Sequence, residues 1–305
     1  MPLFRNPFQA RWDAMSVSAK GILLVSSGSM MLVAMALVIK QLGSTIPSIE
    51  ILFFRSAIGL LFVLPFFGRN LMEPLRTKRP GAHLIRGMLG ALANICFFWT
   101  ITHMLLADAV ALQFSRPLFM LPLAVLFLGE SADLRRWAIV MVGFLGILIY
   151  ARPFTAGFDP GVFVGAAGAV FSCWVVICIK WLAKTEPTRV IMFYYSLWTS
   201  VFALIPALYW WVTPTPFELL LLAAVGILGI YGQGLVTHGY ALAEAGVLVT
   251  LDYSRVVYAT ILGYLLFGEI PGPWNFLGMG LIVAASLWLV LSERMRKAPP
   301  TARGA

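Results

Sequence analysis

Four charged residues sit inside long apolar runs of this sequence: Arg55, Arg116, Asp252 and Arg255. A charge at the centre of a membrane-crossing helix costs ~2.5–3.5 kcal/mol on insertion scales, so charges kept there mark substrate or ion pathways. Arg116 has no sequence-local acidic partner, and its planar guanidinium suits the two oxygens of a carboxylate. Asp252 and Arg255, three residues apart, share a helical face and can pair. Asp252 then serves as the counter-ion of Arg255 or as a proton carrier. An arginine beside Pro117 can instead donate to carbonyls that the proline leaves unpaired in its helix. Arg55 lies about two turns below the end of its run, where snorkelling to the interface is the expectation.

Uncharged groups at similar depth extend the candidate site. Asn94 and Gln113 add polar contacts, and Trp99, Tyr231 and Tyr253 add aromatic walls. Such a cavity suits amphipathic organic molecules, although packing against lipid explains any one aromatic equally well. His103 and His238 fall at helix ends, where a group titrating near neutral pH could couple transport to protons, as could Asp252. The three histidines and three cysteines have no metal-ligand spacing, so neither a metal site nor a disulfide framework is expected. No GxxxxGK[ST] loop and no catalytic pair occurs, and no cofactor is expected.

These residues are positioned by helices in a membrane. Of 305 residues, 60% are apolar and 11% charged, too few charges to cover a soluble domain of this size. Ten runs of about 20 apolar residues are each long enough to span the hydrocarbon. They are 20–41, 47–67, 84–103, 108–128, 134–151, 160–181, 188–212, 217–239, 245–267 and 273–292. The runs are continuously apolar rather than alternating, which selects helices over a barrel. No small-residue cleavage site follows the first run, so it reads as a retained helix. With the N-terminus cytoplasmic, 17 of the 22 Lys and Arg residues, Arg86 among them, fall on inner segments, while Lys40 and Arg152 fall outside. That bias places both termini in the cytoplasm and gives the net +9 an orientational meaning rather than a nucleic-acid one.

The chain also repeats itself. At an offset of 140, residues 20–67 match 160–207 at 12 positions, including Gly28/Gly168, Lys40/Lys180, Thr45/Thr185 and Pro47/Pro187. Further on the offset is 139, pairing Ser115-Arg116 with Ser254-Arg255 and Gly129-Glu130 with Gly268-Glu269. Each repeat (20–151 and 160–292) holds five spans between a short N-terminal segment (1–19) and a tail (293–305). An odd number of spans inverts the second copy, the arrangement of transporters whose site lies at the repeat interface near the midplane. The Gly-Glu pairs read as helix stops, Pro47 and Pro187 as first-turn prolines. Glycines crowd span eight (Gly226, Gly229, Gly232 and Gly234), through close packing or a bend.

Two five-helix repeats, with Ala111-Leu112-Gln113-Phe114-Ser115-Arg116-Pro117-Leu118-Phe119 leading into Leu128-Gly129-Glu130, resemble the drug/metabolite transporter superfamily. Phe53-Phe54-Arg55, Phe267-Gly268-Glu269 and Gly278-Met279-Gly280 narrow the resemblance to the EamA family, over residues 20–292. It implies an all-α polytopic fold and a secondary transporter of small metabolites in the inner membrane. Paired small-residue faces allow a homodimer, and a ten-helix pair of repeats can work as a monomer. Among such transporters the chain looks most like exporters of neutral and aromatic amino acids. An importer of a cofactor or organic acid is the rival. A membrane-embedded enzyme or lipid-handling protein would need a catalytic constellation, and none is legible.

Overall fold

The computed structural model describes residues 15–67, 77–128, 132–151, 159–182, 184–242 and 254–297. Helices and turns account for them, with no strand among the described residues. The helices are α1 (Val17–Leu42), α2 (Ser48–Val63, extended by a 3₁₀ turn Leu64–Phe67), α3 (Pro80–His103), α4 (Leu106–Gln113), α5 (Arg116–Leu128) and α6 (Leu134–Ala151). After these come α7 (Gly161–Leu182), α8 (Thr188–Tyr209), α9 (Pro216–Leu242), α10 (Ser254–Phe267) and α11 (Pro273–Lys297). Seven stretches are long and apolar enough to cross a membrane, the α4–α5 stretch counted as one, and α10 and α11 contribute shorter apolar segments. With α2, these make the ten spans of a polytopic bundle.

Span four departs from the continuous helix expected of it. Two turn residues, Phe114 and Ser115, separate α4 from α5, and Ser115 Oγ donates to the Leu112 carbonyl at 2.6 Å. The break falls where Pro117 cannot donate to a preceding carbonyl, so the helix restarts at Arg116 with proline in its first turn. In the second repeat α10 begins at Ser254, the equivalent of Ser115. Pro47 and Pro187, expected in the first turns of spans two and seven, stand one position earlier as N-caps of α2 and α8.

The packing of the bundle repeats under exchange of the two halves. Helix α1 lies along α9 as α3 lies along α7, α3 meets α8 as α9 meets α2, and α2–α8 and α6–α11 are each other's counterparts. The glycines that allow these approaches pair up residue by residue. A Cβ on Gly87 would fall on Trp198, and one on Gly226 would lie 2.6 Å from Ile58 Cγ2. One on Gly90 would meet Tyr195 Cε2 at 2.7 Å, and one on Gly229 would meet Arg55 Nε at 3.1 Å. Gly87/Gly226 and Gly90/Gly229 are related by 139, whereas Ile58/Trp198 and Arg55/Tyr195 are related by 140. The residue lost between repeats therefore falls between spans two and three, a narrower interval than the matching blocks alone allow. Span eight is one unbroken helix, and Gly226, Gly229 and Gly232 serve close packing rather than a bend.

A shared core forms where the halves interleave: Ile39, Leu42, Ile51, Leu52, Phe98, Ile101, Leu106, Leu222 and Val225 are each at most 1% exposed. Lys40, in the last turn of α1, pairs with Glu269 beyond α10, and Glu269 Oε2 accepts the Leu106 amide at 2.7 Å. Lys40 is thus part-buried and tied to the other repeat. Gly268, at φ 65°, supplies the left-handed turn that ends α10 and aims Glu269 back at these partners. The glutamate caps α4 of the opposite repeat, not the helix that follows it. Gly129 and Glu130, their counterparts, lie outside the described residues.

Candidate functional site

Where α2, α3, α8 and α9 cross, side chains of both repeats converge on Tyr195. Arg55 and Tyr195 occupy equivalent positions of the two repeats, on helices that are mutual counterparts, so their contact lies on the pseudo-twofold axis. Arg55 enters from one end of the bundle and Tyr195 from the other, each about 10 Å along its helix at 1.5 Å per residue. Asn94 Nδ2 donates to the Tyr195 hydroxyl at 2.9 Å and to the Gly90 carbonyl at 2.6 Å. The Arg86 guanidinium carbon stands 3.9 Å from the Tyr195 ring centroid, and that of Arg55 stands 5.8 Å from the Phe98 ring. Arg55 also reaches the Tyr195 hydroxyl. Two cations, a phenol and an amide thus share one small volume.

Two of these residues correct the sequence reading. Arg55, expected to snorkel, has a buried Nε without a hydrogen-bond partner and lies against Phe98 and Gly229. Arg86, counted among the inner-segment charges, is only 7% exposed, inside a helix that begins at Pro80 rather than at 84. Its Nε and Nη1 have no partner either. Pro80 at the start of α3 was the available signal, since proline favours the first helical position and puts Arg86 in the second turn. Tyr195 carried no comparable signal: its importance comes from the axis, which sequence does not locate.

The expected residues distribute differently. Asn94 joins the cluster. Arg116 opens α5, and its Nε donates to the Gln113 carbonyl at 3.1 Å, bridging the break in span four. The Arg116 carbonyl accepts from Cys173 Sγ at 3.3 Å, tying the break to α7. That is the backbone role open to an arginine beside proline. Arg255 Nε donates to Ser29 Oγ on α1 at 3.2 Å, the corresponding tie in the other half. Asp252 and Tyr253 lie outside the described residues. Trp99 stacks on His103 at 4.2 Å between ring centroids, and His103 Nδ1 lies 2.9 Å from the Trp99 carbonyl at the exposed end of α3. Tyr231 is 52% exposed and packs edge-on against Phe62, 6.1 Å away. His238 is exposed near the end of α9. A histidine not proposed for any role, His83, is fully buried and stacked on Tyr194, 4.4 Å away.

The model of the EamA-like transporter family matches the chain twice, over residues 19–152 and 159–291. The chain belongs to that family. It is 30% identical over 255 residues to the S-adenosylmethionine uptake transporter of Rickettsia felis, covering 84% of this chain and 87% of that protein. It is 31% identical over 278 residues to the pseudopaline exporter CntI of Pseudomonas aeruginosa, covering 90% and 97%. A riboflavin transporter of Rhizobium johnstonii is 29% identical over 255 residues, covering 83% and 84%. A crystal structure at 21% identity superposes with a TM-score of 0.57, covers 92% of this chain and 98% of the other, and shares its fold. This EamA-family chain is a multi-pass membrane protein whose similar relatives are transporters of small molecules.

Proposed function

We propose that this chain is a secondary transporter that moves a small organic metabolite across the inner membrane by alternating access, with both termini in the cytoplasm. The observation that carries the reading is the crossing of α2, α3, α8 and α9. A symmetric scaffold there encloses a polar cluster on its own pseudo-twofold axis, where rocking one half against the other exposes the cluster to each side in turn. The break in span four adds a mid-span turn, tied to α7 through the Arg116 carbonyl. Export of neutral or aromatic amino acids is one substrate assignment. Uptake of a cofactor or organic acid is the second, favoured by relatives that carry S-adenosylmethionine and riboflavin. The scaffold is complete within one chain and works as a monomer or as a homodimer.

The test is transport by purified protein in liposomes, across labelled amino acids, S-adenosylmethionine, riboflavin and organic acids, with and without a pH gradient. Movement of at least one of them, saturable and exchangeable with unlabelled compound, is the expected outcome. Absence of any protein-dependent flux across the panel would sink the reading. Amino acids left unmoved while a cofactor crosses would decide for the second assignment.

A further inference from the structure

We infer, resting on the transport reading above, that Arg86 and Arg55, with the Tyr195 hydroxyl, form a subsite for a carboxylate group of the substrate. Arg86 is 7% exposed within a membrane-crossing helix, yet its Nε and Nη1 have no hydrogen-bond partner, and the Nε of Arg55 has none. Neither guanidinium forms an ion pair among the described residues. A cation withdrawn from water without a counter-charge is costly. The ring face of Tyr195 under Arg86 offsets only part of that cost. Two such cations reaching one phenol are completed by an anion, and unspent N–H groups in planar forks match the two oxygens of a carboxylate.

The phenol fits the same role. The Tyr195 oxygen already accepts from Asn94, whose second amide hydrogen goes to the Gly90 carbonyl, so the hydroxyl proton remains available to donate onward. The symmetry of the fold points to the same place. Scaffold positions are alike in both halves: Gly87 and Gly226, Gly90 and Gly229. At the cluster itself the halves carry different chemistry, with Arg55 opposite Tyr195, and Arg86 opposite the fully buried Val225.

The test measures thermal stabilisation of detergent-solubilised full-length protein by L-phenylalanine, its methyl ester, benzoate, benzamide and inorganic phosphate, since a ligand bound to the folded state raises its melting temperature. The acids are expected to stabilise the wild type and the ester and amide to leave it unchanged. Arg86→Gln should weaken the response to the acids about tenfold or more, the scale of losing hydrogen bonds to a charged group. Arg86→Lys, which keeps the charge and loses the fork, should fall between. Without ligand, Arg86→Gln should melt at or above the wild type, because it removes a buried, unpaired charge. Equal responses to acid and ester would overturn the inference, as would an Arg86→Gln response like the wild type's. Binding of phosphate in place of the carboxylates would overturn it too. An unliganded Arg86→Gln protein that melts well below wild type would assign Arg86 a structural duty instead. Transport in liposomes separates the two readings. Flux of a neutral compound with no carboxylate binding sinks this inference alone, and carboxylate binding without flux of any compound sinks the transport reading alone.

Discussion

At the scale of single residues, two kinds of intramembrane arginine divide the work. Arg116 and Arg255 are repeat-related and spend their Nε donors on neighbours, the Gln113 carbonyl and Ser29 Oγ. Arg55 and Arg86 keep donors unspent around Tyr195. The sequence made Arg116 conspicuous because it is charged and central in its run, but centrality along a helix says nothing of which neighbour lies across from it. Tyr195→Phe tests the axis while keeping both arginines, although Arg55 loses the hydroxyl it reaches. It removes the acceptor for Asn94 and leaves a part-buried amide hydrogen unmet, which costs about 1–3 kcal/mol. We expect the initial rate of transport in liposomes to fall about tenfold at normal abundance, the scale of losing one hydrogen bond to a charged substrate group. A wild-type rate would remove Tyr195 from the site.

Among the elements, glycine decides how near the helices come. Gly226→Val should lower the melting temperature, since its new side chain would press on Ile58, and overpacking costs about 1–3 kcal/mol. Gly234→Val, on the same helix with nothing within 4 Å of a new Cβ, is the matched control and should have far less effect. A scan of both melting curves checks the contrast. The tie of Lys40 and Glu269 is a different device, an electrostatic latch between repeats at one end of the bundle. Glu269→Gln leaves the Lys40 ammonium without its counter-charge and weakens the cap on the Leu106 amide. Labelling of Leu105→Cys by a membrane-impermeant maleimide should then become faster than in the same cysteine protein with Glu269 intact. Unchanged labelling would mean that the latch does not hold that end closed.

For the whole molecule, the tightest approaches (α1–α9, α3–α7, α2–α8 and α6–α11) all cross between halves. Residues 1–158 expressed alone should therefore accumulate poorly, and co-expression with 159–305 should restore both fragments, as an immunoblot of membranes would report. Stable accumulation of the first half by itself would show that a repeat closes its own core. Much of this architecture was legible in the chain: apolar run lengths delivered the ten spans, and Gly28/Gly168, Lys40/Lys180 and Ser115/Ser254 delivered the duplication and its inversion. These are local or self-referential properties, written in run length and offset, and they need no knowledge of neighbours. The break in span four was half legible, since Pro117 announces it but does not say whether the helix bends or stops. The convergence of Arg86, Arg55, Asn94 and Tyr195 was not legible, and Arg86 counted among the inner-segment charges. Those residues lie on three helices from two repeats, at positions that meet only once inverted halves interleave. Sequence determined the membrane class, the repeat and the family resemblance. Tertiary structure alone decided which charges face one another, because burial and partnership are relations across space between residues that hydropathy and spacing treat one run at a time.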